Sequence, residues 1–293
     1  MKNLRSIELT FRGPDFHMVG DGFRVSQYFP SGKNLLTRFS PFILLDYNQP
    51  YYFEPSSIRK GVGSHPHRGF ETVTFAYEGS VEHHDNKGNH GIIGPGDVQW
   101  MTAASGILHK EYHETEFSKS GGILHMIQLW VNLPKDKKMI EPKYQTLLKT
   151  NMGILKLDDN QGEISIISGM VNGVKGPAQT FTDINIYNVT LNNNGKVLLN
   201  EPSNFNTGIL VLKGEVNINE DSICKEGDFI LFDNIEGIIS VESITKDALF
   251  IVLSGEPINE PVVSHGPFVM NTIEEIYQAY EDFENNKFGT ENF

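Results

Sequence analysis

The sequence predicts an all-β protein made of two antiparallel β-barrels (jelly-roll type) and closed by one helix. Three observations lead there. Short apolar runs with two-residue alternation recur between turn signals from the N-terminus onward. A pair of glycine turns in the first half is echoed in the second, and a clear helical period is found near the C-terminus.

Residues 1–50 alternate short apolar runs with Gly13-Pro14-Asp15, Gly20-Asp21-Gly22 and Pro30-Ser31-Gly32, the grammar of strands and turns. Ser40 to Asp46 is the most apolar piece and reads as a buried strand. Tyr47, Tyr51, Tyr52 and Phe53 either rim a pocket or close a core edge. Thr72 to Asp85 reads as strand, turn and strand, and two further turns precede the strand Val98 to Thr102. Short strands at this spacing indicate a barrel or a sandwich.

The Tyr77-Glu78-Gly79 turn and the Gly96-Asp97-Val98 turn stand 17 residues apart, glycine to glycine. Lys213-Gly214-Glu215 and Gly227-Asp228-Phe229 repeat them 13 apart. That echo suggests two copies of one barrel. At 203–209, aligned with the first half's His-x-His, the second copy reads Ser-Asn-Phe-Asn-Thr-Gly-Ile, so the C-terminal copy is expected to be metal-free. Two prolines and a charge run mark a connector over 133–145, giving domains at 1–132 and 146–293. Thr272 and Glu275 form a capping-box pair before Ile273, Ile276, Tyr280 and Phe283, which share a helical face expected to dock on a barrel.

Composition narrows the function. Lysine plus arginine is 24 against 37 for aspartate plus glutamate, a formal net charge of −13, which argues against a general phosphate-binding surface and hence against direct nucleic-acid binding. No stretch approaches the ~20 apolar residues of a membrane span. The single cysteine, Cys224, cannot form an intramolecular disulfide and has no nucleophile constellation around it; the N-terminus lacks a signal-like apolar run. The expected address is cytoplasmic, or also nuclear if the source is eukaryotic. Gly61-Val62-Gly63 lacks the third glycine and the helix of a phosphate loop.

The chemistry lies between Ser64 and Glu114. In a strand alternate side chains share a face, so His65 pairs with His67, and His109 pairs with Glu111. Three imidazoles and a carboxylate suit iron(II), manganese, cobalt, nickel, copper(II) or zinc, with open positions for a small molecule. A purely structural metal is the blander alternative. Glu71 shares parity with His67 and could replace Glu111 or orient a ligand; His113 shares parity with His109. His83, His84 and His90 flank turns and read as solvated, and His265 as structural.

The stretches His65-Pro66-His67-Arg68-Gly69-Phe70-Glu71-Thr72, Gly96 to Ala103, Gly106-Ile107-Leu108-His109-Lys110-Glu111 and Gln128 to Leu133 resemble the pirin family of the cupin superfamily. So do Met139 to Gln145 and His265 to Thr272. The resemblance spans both halves and implies a bicupin with the metal in the N-terminal barrel, held by His65, His67, His109 and Glu111. Relative to the general cupin pattern, Glu111 stands two residues after its histidine and the usual proline near Ala104 is missing. Pirins show both departures, which argues against a standard cupin role for Glu71.

Some pirins open flavonols with dioxygen as quercetin 2,3-dioxygenases that release carbon monoxide. The resemblance therefore implies a divalent transition metal, iron(II) first, with dioxygen and a flat flavonol as partners. Glu111 then serves as general base, and the chain is expected to be a monomer. The alternative is a non-enzymatic, iron- and redox-sensing regulator acting through protein partners, as eukaryotic pirins and some bacterial ones do.

Overall fold

The structure, a computed structural model, describes residues 3–291 and 293. Its strands build two units with the same topology. In the histidine-bearing unit one antiparallel sheet runs Lys143–Leu147, Val98–Thr102, Phe70–Glu78, Gly122–Asn132, Phe42–Phe53, Phe23–Phe29, His17–Val19. A second sheet runs Gly61–His67, Ile107–His113, Val81–Asp85, His90–Ile93. The other unit repeats this, with Ile7–Arg12, Asp228–Phe232, Asn206–Lys213, Asp247–Gly255, Ile184–Asn192, Gly162–Ser168, Gly153–Lys156 in one sheet. Its smaller sheet runs Lys196–Leu199, Ile239–Ser243, Glu215–Ile218, Ser222–Lys225.

The echoed glycines sit at equivalent turns of the two units. Gly79, Gly96, Gly214 and Gly227 have φ of 78°, 93°, 75° and 86°, a left-handed conformation that a Cβ disfavours. The apolar stretch after Ser40 is the first half of a long strand, Phe42–Phe53, buried on both faces from Phe42 to Asn48, as a central strand between two layers should be. Tyr47 and Phe53 are buried, whereas Tyr51 and Tyr52 are exposed.

The units do not follow the linear boundaries expected at 1–132 and 146–293. The histidine-bearing unit comprises Pro14–Thr37, Pro41–Lys149 and Ile258–Phe293; the other takes Arg38–Ser40, Thr150–Pro257 and the described part of Met1–Gly13. Edge pairing is the reason. The end of the supposed connector forms Lys143–Leu147, which pairs with Val98–Thr102 and satisfies that edge's backbone groups. Ile7–Arg12 does the same for Asp228–Phe232.

The C-terminal helix Ile273–Glu284 starts at Thr272 with the expected capping box. Ile276 and Ala279 form its buried seam beside Leu108, Phe268 and Phe288, while Ile273 is exposed. Arg68 reaches this helix: its Nη1 donates to Asp282 Oδ2 at 2.8 Å, with both residues buried. A six-residue helix, Thr115–Ser120, is capped by Glu114. Among the described residues no helix is long and apolar enough to cross a membrane.

In the second unit, the strand equivalent to Gly61–His67 is Lys196–Leu199, upstream of the 203–209 stretch that turn spacing suggested. Its buried residues are Val197 and Leu199, and those facing them from Ile239–Ser243 are Ile239 and Val241. Apolar packing, aliphatic apart from Tyr187, Phe232 and Phe250, makes up that barrel's core, with Cys224 buried in it. Burial pushes the Cys224 thiol up to about 11, so it behaves as a small core residue.

Candidate metal centre

Gly61–His67 and Ile107–His113 pair antiparallel with His65 opposite His109 and His67 opposite Ile107. The two-residue period puts His65 and His67 on one face, and pairing adds His109 to it. Ring centroids are 4.8 Å apart for His65 and His67, 4.2 Å for His65 and His109, and 4.9 Å for His67 and His109. One nitrogen from each ring lies within 4.8 Å of the other two.

The outward nitrogens are occupied. His65 Nδ1 donates to Gly63 O at 2.8 Å, and His67 Nδ1 donates to Pro267 O at 3.3 Å. Each contact leaves Nε2 as the bare lone pair, the arrangement by which protein carbonyls orient metal-binding imidazoles. His109 Nε2 is fully buried and has no hydrogen-bond partner. A buried nitrogen without a partner, placed among two other imidazoles, fits a ligand atom. Burial, reinforced by the neighbouring His65, drives the His67 imidazole well below its ordinary pKa; His109 is lowered for the same reasons. Both rings are thereby held neutral, the form that can ligate a cation.

Glu111 joins the group through His109. The ladder shifts register between His109 and Glu111, and the carboxylate comes within ligand range of His109 and His83. Gln99 donates to Glu111 Oε1, and Gln128 Nε2 donates to Oε2 at 2.9 Å. Gln99 also donates to Thr74 Oγ1 at 3.1 Å. Thr74 Oγ1 also donates to Oε1, at 3.4 Å, so these donors fix the carboxylate's orientation and leave a lone pair free on Oε2.

The sequence reading of His83 as a solvated turn residue is corrected by the structure. His83 is 0% exposed, its Nδ1 lies 3.4 Å from His109 Nδ1, and its ring stacks on Tyr144 at 4.6 Å. His83 Nε2 faces Asp85 Oδ2 at 3.3 Å, which puts the proton on Nε2 and leaves Nδ1 to accept from His109. Burial pushes the Asp85 carboxyl up, but hydrogen bonds from His83 and Asn89 outweigh it and hold it below the usual range. The sequence signal was the shared parity of His83 and Asp85; only the pairing of Val81–Asp85 with Ile107–His113 turns it toward His109.

The other candidates fall elsewhere. Glu71 is buried on the strand Phe70–Glu78, accepts from Thr102 Oγ1 at 2.7 Å, and is raised by burial to about 7; it lies outside the histidine group. His113 Nε2 donates to Gly22 O at 2.7 Å and packs between Phe23 and Phe53. His84 is half-buried and His90 exposed, while exposed His265 contacts Tyr280.

His65, His67 and Glu111 open onto a cavity of about 560 Å3 walled by Phe23, Val25, Leu44, Met126 and Trp130. Two polar residues face it from alternate positions of Phe42–Phe53. Asp46 accepts from Gln27 Nε2 at 3.0 Å and is raised by burial to about 6; both side-chain atoms of buried Asn48 lack a partner. An apolar cavity with a few convergent polar groups is the form of a small-molecule site.

Two repeated antiparallel barrels, with an imidazole cluster in one and an apolar interior in the other, define a bicupin with a site suited to a divalent metal. The chain belongs to the pirin family: the pirin model matches residues 22–131 and the pirin C-terminal cupin domain model matches 186–289. It is 48% identical over 272 residues to a Pseudomonas aeruginosa protein provisionally named quercetin 2,3-dioxygenase, covering 93% of this chain and 94% of that one. Human pirin is 37% identical over 273 residues, covering 89% of this chain and 87% of that one. A crystal structure of quercetin 2,3-dioxygenase from Acinetobacter baumannii superimposes with a TM-score of 0.93 at 41% identity, over 98% of this chain and 99% of that one.

Proposed function

We propose that the chain is a metal-dependent dioxygenase that opens the ring of a flavonol such as quercetin and releases carbon monoxide. The observation that carries this is the convergence of His65, His67 and Glu111 on the wall of an apolar cavity large enough for a flat aromatic molecule. The quercetin dioxygenase names of the Pseudomonas and Acinetobacter relatives support it.

His65, His67, His109 and Glu111 are the residues proposed to hold the metal, with iron(II) as the first choice because imidazoles and one carboxylate with open positions suit oxygen-using iron sites. When bound there, the metal supplies a Lewis-acidic, redox-active centre that makes a neighbouring flavonol hydroxyl more acidic. The chain's own residues do the rest. Trp130 and Phe70, stacked at 4.1 Å, hold the His67 side of the cavity rigid. Phe23, Val25, Leu44 and Met126 exclude water and accept the aromatic rings. Glu111, oriented by Gln99 and Gln128, accepts the 3-hydroxyl proton on a carboxylate oxygen, and Asn48 offers its free amide to polar substituents.

The test is aerobic quercetin consumption with detection of carbon monoxide, using protein reconstituted anaerobically with iron(II) and His109→Ala as control. Stoichiometric carbon monoxide from the wild type and none from the variant is the expected result. Metal bound by the wild type and lost in His109→Ala, with no turnover, would overturn the reading in favour of a metal-bearing regulator that works through a protein partner.

A further inference from the structure

The strand Val81–Asp85 carries ligand-type side chains on both faces. His83 and Asp85 turn toward His109, so Glu82 and His84 project from the opposite face. There His84 stands directly opposite His90 on the edge strand His90–Ile93, and the two rings stack at 4.3 Å with 20° between their planes. Their Nε2 atoms address one oxygen: His84 lies 2.7 Å and His90 3.2 Å from Glu82 Oε1. The three groups offer ligand atoms within 4.8 Å of one another.

From this geometry we infer a second divalent-cation site, formed by His84, His90 and Glu82 on the outer face of the sheet whose inner face bears the histidine cluster. Arg59 Nη1 donates to the sister oxygen at 2.5 Å and so holds the carboxylate with Oε1 toward both rings. A divalent ion takes both Nε2 lone pairs and one carboxylate oxygen, and water completes the shell on the exposed side. Two imidazoles and one carboxylate select a borderline cation of the zinc, nickel or copper(II) type over calcium or magnesium. The scaffold is preformed, since the β-ladder fixes the cross-strand histidine pair and Glu82 shares a strand and a face with His84. Arg59 competes with the ion for the carboxylate, which makes the outer site the weaker one. The ion would tie the edge strand to the strand whose other face supports His109.

The experiment compares untagged wild type with the His84→Gln/His90→Gln variant, dialysed to equilibrium against zinc(II) at neutral pH and counted by elemental analysis. The wild type should hold one more zinc per chain, and this difference is the readout whatever the inner site binds. Copper(II) titrated into both should give the wild type a second nitrogen-coupled EPR signal, beyond that of the inner histidine cluster, that the double variant lacks. His90→Gln alone, at an exposed edge position that the fold tolerates, should weaken the outer binding by more than the roughly 10–100-fold typical of losing an outer-shell partner. Equal zinc counts in wild type and double variant, with identical circular dichroism, would overturn the assignment.

Discussion

Replacing His83 by alanine is expected to weaken metal binding about tenfold, although His83 is not among the four proposed ligands. Loss of an outer-shell partner of a metal-bound histidine typically costs 10–100-fold, roughly 1.4–2.7 kcal/mol. The His83–His109 contact at 3.4 Å is long, which places the effect near the lower bound. His83→Gln should recover most of the loss, because its carbonyl oxygen can accept from His109 Nδ1, whereas His83→Leu should not. The assay is chelator competition, reading the tighter class of sites, with circular dichroism and thermal unfolding alongside. Truncating a fully buried ring stacked on Tyr144 also removes packing. By comparison with other buried truncations that costs roughly 2–4 kcal/mol, so affinities are compared well below the variant's unfolding temperature. Unchanged affinity in a folded His83→Ala protein would refute the role assigned to the Asp85–His83–His109 chain.

Four other perturbations test the surrounding structure. Gln128→Leu, which frees one Glu111 oxygen, should lower flavonol turnover about tenfold while the metal stays bound, as steady-state kinetics and elemental analysis would show. Asn48→Leu should raise KM about tenfold for a hydroxylated flavonol, the equivalent of one lost hydrogen bond, and leave metal affinity unchanged. Asp282→Ala removes the charged partner of buried Arg68, which keeps its bond to Ser105 O and its place over Phe288, and should cost roughly 2–3 kcal/mol in chemical denaturation. Glu71 is raised from about 4.5 to about 7, so between those values the folded protein keeps a proton that the unfolded chain has released. The Glu71 contribution to stability should therefore fall as pH rises through that window, by roughly 3 kcal/mol in total, against the opposite slope from the lowered His67, His109 and His125; it is read as the difference in unfolding free energy between wild type and Glu71→Gln at each pH.

The proposed ligands were legible because a strand's two-residue period is a local property: His65 with His67, and His109 with Glu111, share faces whatever the fold does next. The echoed glycine turns were legible for a similar reason, since a left-handed φ restricts the residue that can occupy it. The capping box of the last helix is equally local. His83 was misread because burial depends on which strand lies alongside. Only the pairing of Val81–Asp85 with Ile107–His113 sends His83 inward to His109 and His84 outward to Glu82 and His90. The unit boundaries escaped for the same cause: Lys143–Leu147 and Ile7–Arg12 belong to whichever sheet edge satisfies their backbone groups, and chain order does not decide that. The sequence by itself thus determined the repeated strand grammar, the helix and the residues proposed for the metal. The tertiary structure alone decided which side chains support them and which segments complete each barrel, because hydrogen-bonded pairing acts between strands that are distant along the chain.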